Sequence, residues 1–273
     1  MEGWPVCKKC GIITLSAPNL DNLEPELKRV AQLLYGGKLK PGQIDKAMVK
    51  KIADQLMKGI FKGYGKDLKS KKLTPDERSF LNKLNENVHV FSGFKNYQEL
   101  KEITSLIKDD SGIIKPFNDW YQNDVLRVNK TYSEVYANAE YGNCISSGQN
   151  AASFQDFITN GVETLTLQTA NDDSVRPEHA MMEGMTVDID DPILDTYYTP
   201  MDWGCRCEWV PGAGKDLTPV SNYDLPTLPP MFQNNVGKTG VVFPDTHPYF
   251  DVAKAASKSI RNQVKDILND EED

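Results

Sequence analysis

The sequence predicts an α+β fold: a mainly helical N-terminal half, a small antiparallel sheet module with short helices, and an extended Pro-rich arm. Three observations carry that expectation. Through the first half of the chain, apolar residues recur three and four apart, the spacing that lines one face of a helix. Leu165-Thr166-Leu167-Gln168-Thr169 then alternates, which is strand periodicity. Beyond Val210, the prolines 211, 219, 226, 229 and 230, with Gly212 and Gly214, break any regular pattern and mark an extended segment.

The elements follow in order. Cys7-Lys8-Lys9-Cys10-Gly11 has the tight spacing of half a zinc knuckle and leads into linker sequence. Residues 23–35 read as a helix closed by Gly36-Gly37, and Ile44, Met48, Ile52, Leu56 and Ile60 form an i, i+4 stripe through a second, longer helix. Thr74-Pro75-Asp76-Glu77 is a capping box with Pro at the first helical position, so a helix starts there. Val88-His89-Val90-Phe91 reads as a short β-like segment, with His89 a strand-edge or core histidine. Helices are expected over 97–108 and 117–129, parted by the turn Asp109-Asp110-Ser111-Gly112. A further helix over 134–157 is rich in small residues that admit a close neighbour, and its Cys144 reads as a buried, inert thiol. Past the arm, Val241-Val242-Phe243 looks strand-like, residues 247–250 form an aromatic turn, and 252–268 form a last helix running into an acidic, solvated end.

Length and composition frame the function. A chain of 273 residues, 39% hydrophobic, can bury one large core or two modest ones. Apolar runs fall short of the roughly 18 residues that span a bilayer, and the start lacks the apolar core of a signal peptide, so neither export nor a membrane partner is expected. Five cysteines in two close pairs plus Cys144 do not form a disulfide framework, which favours a reducing compartment.

Charge is unevenly distributed. Residues 1–130 carry 23 Lys+Arg against 16 Asp+Glu, net +7, while residues 131–273 carry 8 against 23, net −15. Lys58, Lys62, Lys66, Lys69, Lys71 and Lys72 form the basic peak, which is either a solvated surface or a contact for DNA or an acidic partner.

The chemistry-bearing residues concentrate between Thr164 and Val210. Alternation puts Leu165 and Leu167 on a core face and Thr166 and Gln168 on the other. Pro177 opens a short helix that Gly184 ends, with Arg176 and His179 on one side of it. In the closing strand Cys205, Cys207 and Trp209 share a face. Imidazole and thiolate are zinc's preferred ligands, so His179, Cys205 and Cys207 could supply three corners of a tetrahedron, the fourth coming from Asp, water or the Cys7/Cys10 pair. The other reading makes both thiols small buried hydrophobes and has Arg176 and His179 bond the acidic turns Asp172/Asp173 and Asp190/Asp191. Cys-x-Cys on a strand splays its sulfurs, which favours the second reading. Enzymatic motifs are missing: there is no Gly-x-Ser-x-Gly elbow and no His-Glu-x-x-His. Gly237-Lys238-Thr239 fails as a phosphate loop because Phe232 stands where glycine is required. Neither catalysis nor a small-molecule substrate is expected.

The order Leu165-x-Leu-Gln-Thr-Ala-x-Asp-Asp173-x-Val-Arg176-Pro-Glu-His179-Ala, then Gly184, Asp191-Pro192 and Trp203-Gly-Cys205-Arg206-Cys207, resembles the phage Mu F-like minor head proteins, also called phage head morphogenesis proteins. Val90-Phe91-Ser92-Gly93-Phe94, Ile114-Lys115-Pro116-Phe117, residues 234–240 and His247-Pro248-Tyr249-Phe250 look like the version in phages and prophages of Bacteroides-type bacteria. The resemblance divides the chain into a basic helical region (1–73), a Mu F-like domain (74–210) and the arm with its last helix (211–273). Asp173, Arg176, His179, Gly184, Cys205, Arg206 and Cys207 are its signature residues. Some relatives carry Cys-Pro-x-Cys where this chain has Arg176-Pro177-Glu178-His179, which leaves His179, Cys205 and Cys207 as a carried-over metal set. The resemblance implies a structural minor component of the virion head or procapsid, present in the host cytoplasm during assembly. Its implied partners are the portal protein, other capsid proteins and, non-specifically, packaged DNA. A phage-delivered effector and a zinc-dependent nucleic-acid-binding module are the alternatives.

Overall fold

A computed structural model describes residues 24–40 and 42–272. Cys7 and Cys10 lie outside the described residues. The chain divides into two compact units, one holding residues 24–58, 82–141 and 245–272, the other Gly59–Leu81 and Gly142–Pro244.

The first unit is helical. α1 (Glu24–Tyr35) buries Leu27, Val30 and Ala31 and is closed by Gly37 in the left-handed region, at φ +67°. α2 (Lys46–Tyr64) starts at Asp45, whose carboxylate accepts from Met48 N at 2.9 Å, and buries Met48, Ile52 and Leu56 of the expected stripe. α3 (Pro75–Ser105) opens on the capping box: Glu77 N donates to Thr74 Oγ1 and Thr74 N donates to the Glu77 carboxylate. It runs 31 residues without a break, so the β-like segment expected at 88–91 is wrong. Leu81, Leu84, Val88, Phe91 and Phe94 continue one apolar stripe, and burying it outweighs the local β propensity of Val-His-Val-Phe. His89 is a buried helical residue whose Nδ1 meets Asn85 O at 2.9 Å.

Residues 117–159 are likewise one helical run: α4 (Phe117–Trp120), a π turn (Tyr121–Val125), α5 (Leu126–Lys130), a second π turn (Thr131–Tyr136) and α6 (Ala137–Thr159). The gap expected near residues 130–133 is filled by that second π turn. Before it, Asp109 accepts from Ser111 N and Ile113 N, fixing the expected turn, and Gly112 takes φ +78°. α10 (Lys254–Glu272) packs Val264 so close to Gly93 that a Cβ there would lie 2.5 Å from it.

The core of this unit holds charge. Lys95 and Glu140 form an ion pair with side chains 4% and 2% exposed, and Tyr249 Oη donates to Glu140 at 3.2 Å. Glu99, one turn after Lys95, accepts from Asn129 Nδ2 at 2.7 Å, and a cavity of about 20 Å³ lies among Lys95, Glu99, Tyr132 and Glu140. Burial pushes the Glu99 carboxyl up to about 6 against an ordinary 4.5, aided by Glu140 and Glu102 and opposed by Asn129 and Lys95.

In the second unit, the end of α2 crosses α6 at glycines. A Cβ on Gly63 would lie 2.0 Å from Ile145 O, and one on Gly148 would lie 2.4 Å from Ile60 O, so two backbones touch there. The sheet is antiparallel in the order β2-β1-β3, with β1 (Thr164–Gln168) central, β2 (Thr186–Asp188) and β3 (Glu208–Pro211). Both faces of β1 are buried near its middle, so the face opposite Leu165 and Leu167 is core as well: Thr166 is fully buried and shares a hydrogen bond with Thr186 at 2.8 Å. Two four-residue helices, α7 (Pro177–Ala180) and α8 (Ile193–Thr196), lie in the connections. The Pro-rich arm folds back: Thr218 N donates to Thr186 O, Tyr197 Oη donates to Pro226 O, and Phe232 meets the Trp203 ring edge-on. Val241–Phe243 is irregular rather than a strand, and it follows the short helix α9 (Val236–Thr239), which ends in Gly240 at φ +68°.

The raised Glu99 carboxyl predicts a pH dependence of stability. The native state holds that proton more tightly than the unfolded chain, so its contribution is full below about 4.5 and is lost as pH rises through about 6. Glu99→Gln should flatten the stability–pH curve between pH 4.5 and 7.5 by about 2 kcal/mol in urea unfolding. Parallel curves for the two proteins would contradict the assignment.

Candidate functional site

Strand register builds the site. Gln168, at the C-terminal end of β1, pairs with Glu208 at the start of β3, while Leu167 exchanges backbone hydrogen bonds with Gly184 and Met185 just before β2. The loop that leaves β1 and the loop that enters β3 therefore meet at one end of the sheet. The first carries α7 and His179; the second carries Cys205 and Cys207.

Pro177 at the first position of α7 fixes the turn that points His179 inward, and Gly184 at φ +78° returns the chain to β2. His179, Cys205 and Cys207 are 3%, 6% and 5% exposed. His179 Nδ1 lies 3.8 Å from Cys205 Sγ and 3.9 Å from Cys207 Sγ, and the three ligand atoms all fall within 4.8 Å of one another. Both cysteines precede β3 rather than sitting in it, so the pleat that would splay their sulfurs is absent, with Gly204 at φ +67° bending the chain into them. Their expected place on a strand was wrong, and the argument for splayed sulfurs falls with it.

The sulfurs are electrostatically unequal. The Cys207 thiol donating to Cys205, joined by His179, holds Cys205 well below the usual thiol range, while the Cys205 charge and burial push Cys207 up.

Two arginines close the loops over this trio, though not with the partners expected. Arg176 Nη2 donates to Trp203 O at 2.8 Å and its Nε pairs with Asp202 at 3.1 Å. Arg206 forks onto Asp172 with two hydrogen bonds of 2.6 Å and keeps its carboxyl below the usual range. His179 bonds no acidic turn; Asp191 instead caps Ile193 N at 2.8 Å. Asp173 is exposed and forms no ion pair among the described residues.

The lysine peak is an ordered basic turn. Lys58 and Lys62 lie on α2, and Lys66, Lys69, Lys71 and Lys72 lie between α2 and α3, where Arg78 binds Leu68 O and Ser70 O. Lys66 pairs with Glu77 and Lys58 bonds Gln55, while Lys69, Lys71 and Lys72 are exposed without a carboxylate partner among the described residues. Lys238 of the failed phosphate-loop motif is paired with Asp195 at 2.7 Å. Sequence reading missed the Lys95–Glu99–Glu140 cluster; its signal was two charged residues on the apolar stripe of α3.

The fold and site together are an α+β module with a buried His-Cys-Cys trio whose loops are closed by two arginines. The sequence pattern of the Phage Mu protein F like family matches residues 50–210, more than half of the chain. The chain belongs to that family. It is similar to the Mu-like prophage FluMu F protein of Haemophilus influenzae, with 49% identity over 37 residues, covering 14% of this chain and 9% of that protein. No solved structure matches.

If the arginines lock the two loops, Arg176→Ala should speed thiol labelling of Cys205 and Cys207 about tenfold by favouring local opening, leaving Cys144 in α6 unchanged when read peptide by peptide. Equal acceleration at all three cysteines would place the effect in global stability instead.

Proposed function

We propose that this protein is a minor head protein that acts without catalysis, docking at or near the portal during head assembly and lying against packaged DNA. The observation that carries the reading is the family match over residues 50–210, which takes in β1, β2, most of β3 and both arginines of the clamp. Residues 211–244 support it, because they fold back onto that module through Thr218, Pro226 and Phe232. Among the described residues no helix is long and apolar enough to cross a membrane.

On this reading the exposed Lys69, Lys71 and Lys72 face phosphate, and binding is insensitive to base sequence. Co-expression with the portal and major capsid proteins, followed by gradient purification, should recover the chain with the portal or in procapsids. Absence from both contradicts the proposal. Replacing Lys69, Lys71 and Lys72 with Gln should weaken duplex binding evenly across sequences and reduce the log–log salt slope by about 2–3. An unchanged slope would leave the protein with protein partners alone.

A further inference from the structure

We infer that His179 Nδ1, Cys205 Sγ and Cys207 Sγ are three ligands of a structural zinc ion that ties the loop after β1 to the start of β3.

The geometry is close to that of a loaded site. Zinc–sulfur bonds of about 2.3 Å and zinc–nitrogen bonds of about 2.0–2.1 Å set the edges of a tetrahedron near 3.5–3.8 Å. The two sulfur–nitrogen separations, 3.8 and 3.9 Å, are already within a few tenths of that. All three ligand atoms come from side chains less than 7% exposed, on loops held in place by backbone pairing and by the arginine clamps. Such a preformed frame lets an ion bind without reorganising the fold.

The donor set selects the metal. Two thiolates and an imidazole are soft to borderline ligands that suit zinc and disfavour magnesium and calcium, which take oxygen. A divalent cation among the three atoms holds both sulfurs as thiolates, and any thiol proton is released to solvent on binding. A Cys205–Cys207 disulfide would give the buried imidazole no such role. Three protein ligands leave one corner for water or for a donor outside the described residues.

The site adds a cofactor to the head-protein reading but does not depend on it, since metal content is measured on the isolated chain. Full-length protein purified without added zinc should contain about one zinc per chain, and cobalt exchanged into it should show tetrahedral d–d bands with thiolate charge transfer. His179→Ala and the double variant Cys205→Ser/Cys207→Ser should lower zinc at least about tenfold, whereas His179→Cys, which restores a ligand, should keep it. The double variant Cys7→Ser/Cys10→Ser should also keep it. The inference is overturned if the wild-type chain neither holds zinc nor takes up cobalt with those spectra. It is equally overturned if zinc survives loss of Cys205 and Cys207 but not of Cys7 and Cys10. Because cobalt spectra are read on the wild-type chain and His179→Cys conserves a ligand, misfolding of the other variants leaves the test intact.

Discussion

The sheet module and its His-Cys-Cys trio depend on a register constraint. Pairing Gln168 with Glu208, and Leu167 with the residues just before β2, brings one end of β1 level with the starts of both its neighbours. Two loops distant in sequence must then share one small volume, and His179, Cys205 and Cys207 are what the chain places there. A slip of one residue in either pairing would turn Leu165 and Leu167 out of the core and carry the cysteines away from the histidine. Sheet pairing, core burial and the trio therefore specify one another, and Arg176 and Arg206 close the arrangement from outside.

The helical unit applies a different rule. Its helices approach at positions without side chains, as at Gly93, and its interior tolerates the Lys95–Glu140 pair because Tyr249 and Asn129 supply hydrogen bonds to the carboxylates around it. A buried ion pair of this kind adds less to stability than an apolar core of equal volume, but removing one member strands the other. Glu99, left without a full counter-charge, bears the electrostatic cost as a raised proton affinity.

How much of this was legible in the sequence depended on whether the signal was local. The capping box at Thr74, the helix stop at Gly37, the turn at Asp109 and the return at Gly184 rest on chemistry within a few residues, and the structure realises each. The α+β class was equally readable, because the change from helical spacing to alternation at residue 164 is abrupt. Misreadings arose where distant packing decided the outcome. Val88–Phe91 has strand-forming residues but lies on the apolar stripe of a 31-residue helix. The π turns keep residues 117–159 continuous where the apolar spacing slips. At the site, residue types identified the trio, but alternation assumed a strand that begins only at Glu208, and so misjudged the sulfurs. The arginine partners were invisible for the same reason: Asp172 and Asp202 are chosen by loop geometry rather than by sequence distance.

The central claim is that the His179 loop and the Cys205–Cys207 loop form one mechanical unit through a shared ion. Hydrogen–deuterium exchange on the full chain, before and after zinc is removed by a chelator, tests it directly. The account predicts that residues 169–185 and 199–207 lose protection together on chelation while α1, α10 and the Lys95–Glu140 core keep theirs. Unchanged protection in both loops, or an even loss across the whole chain, would contradict it.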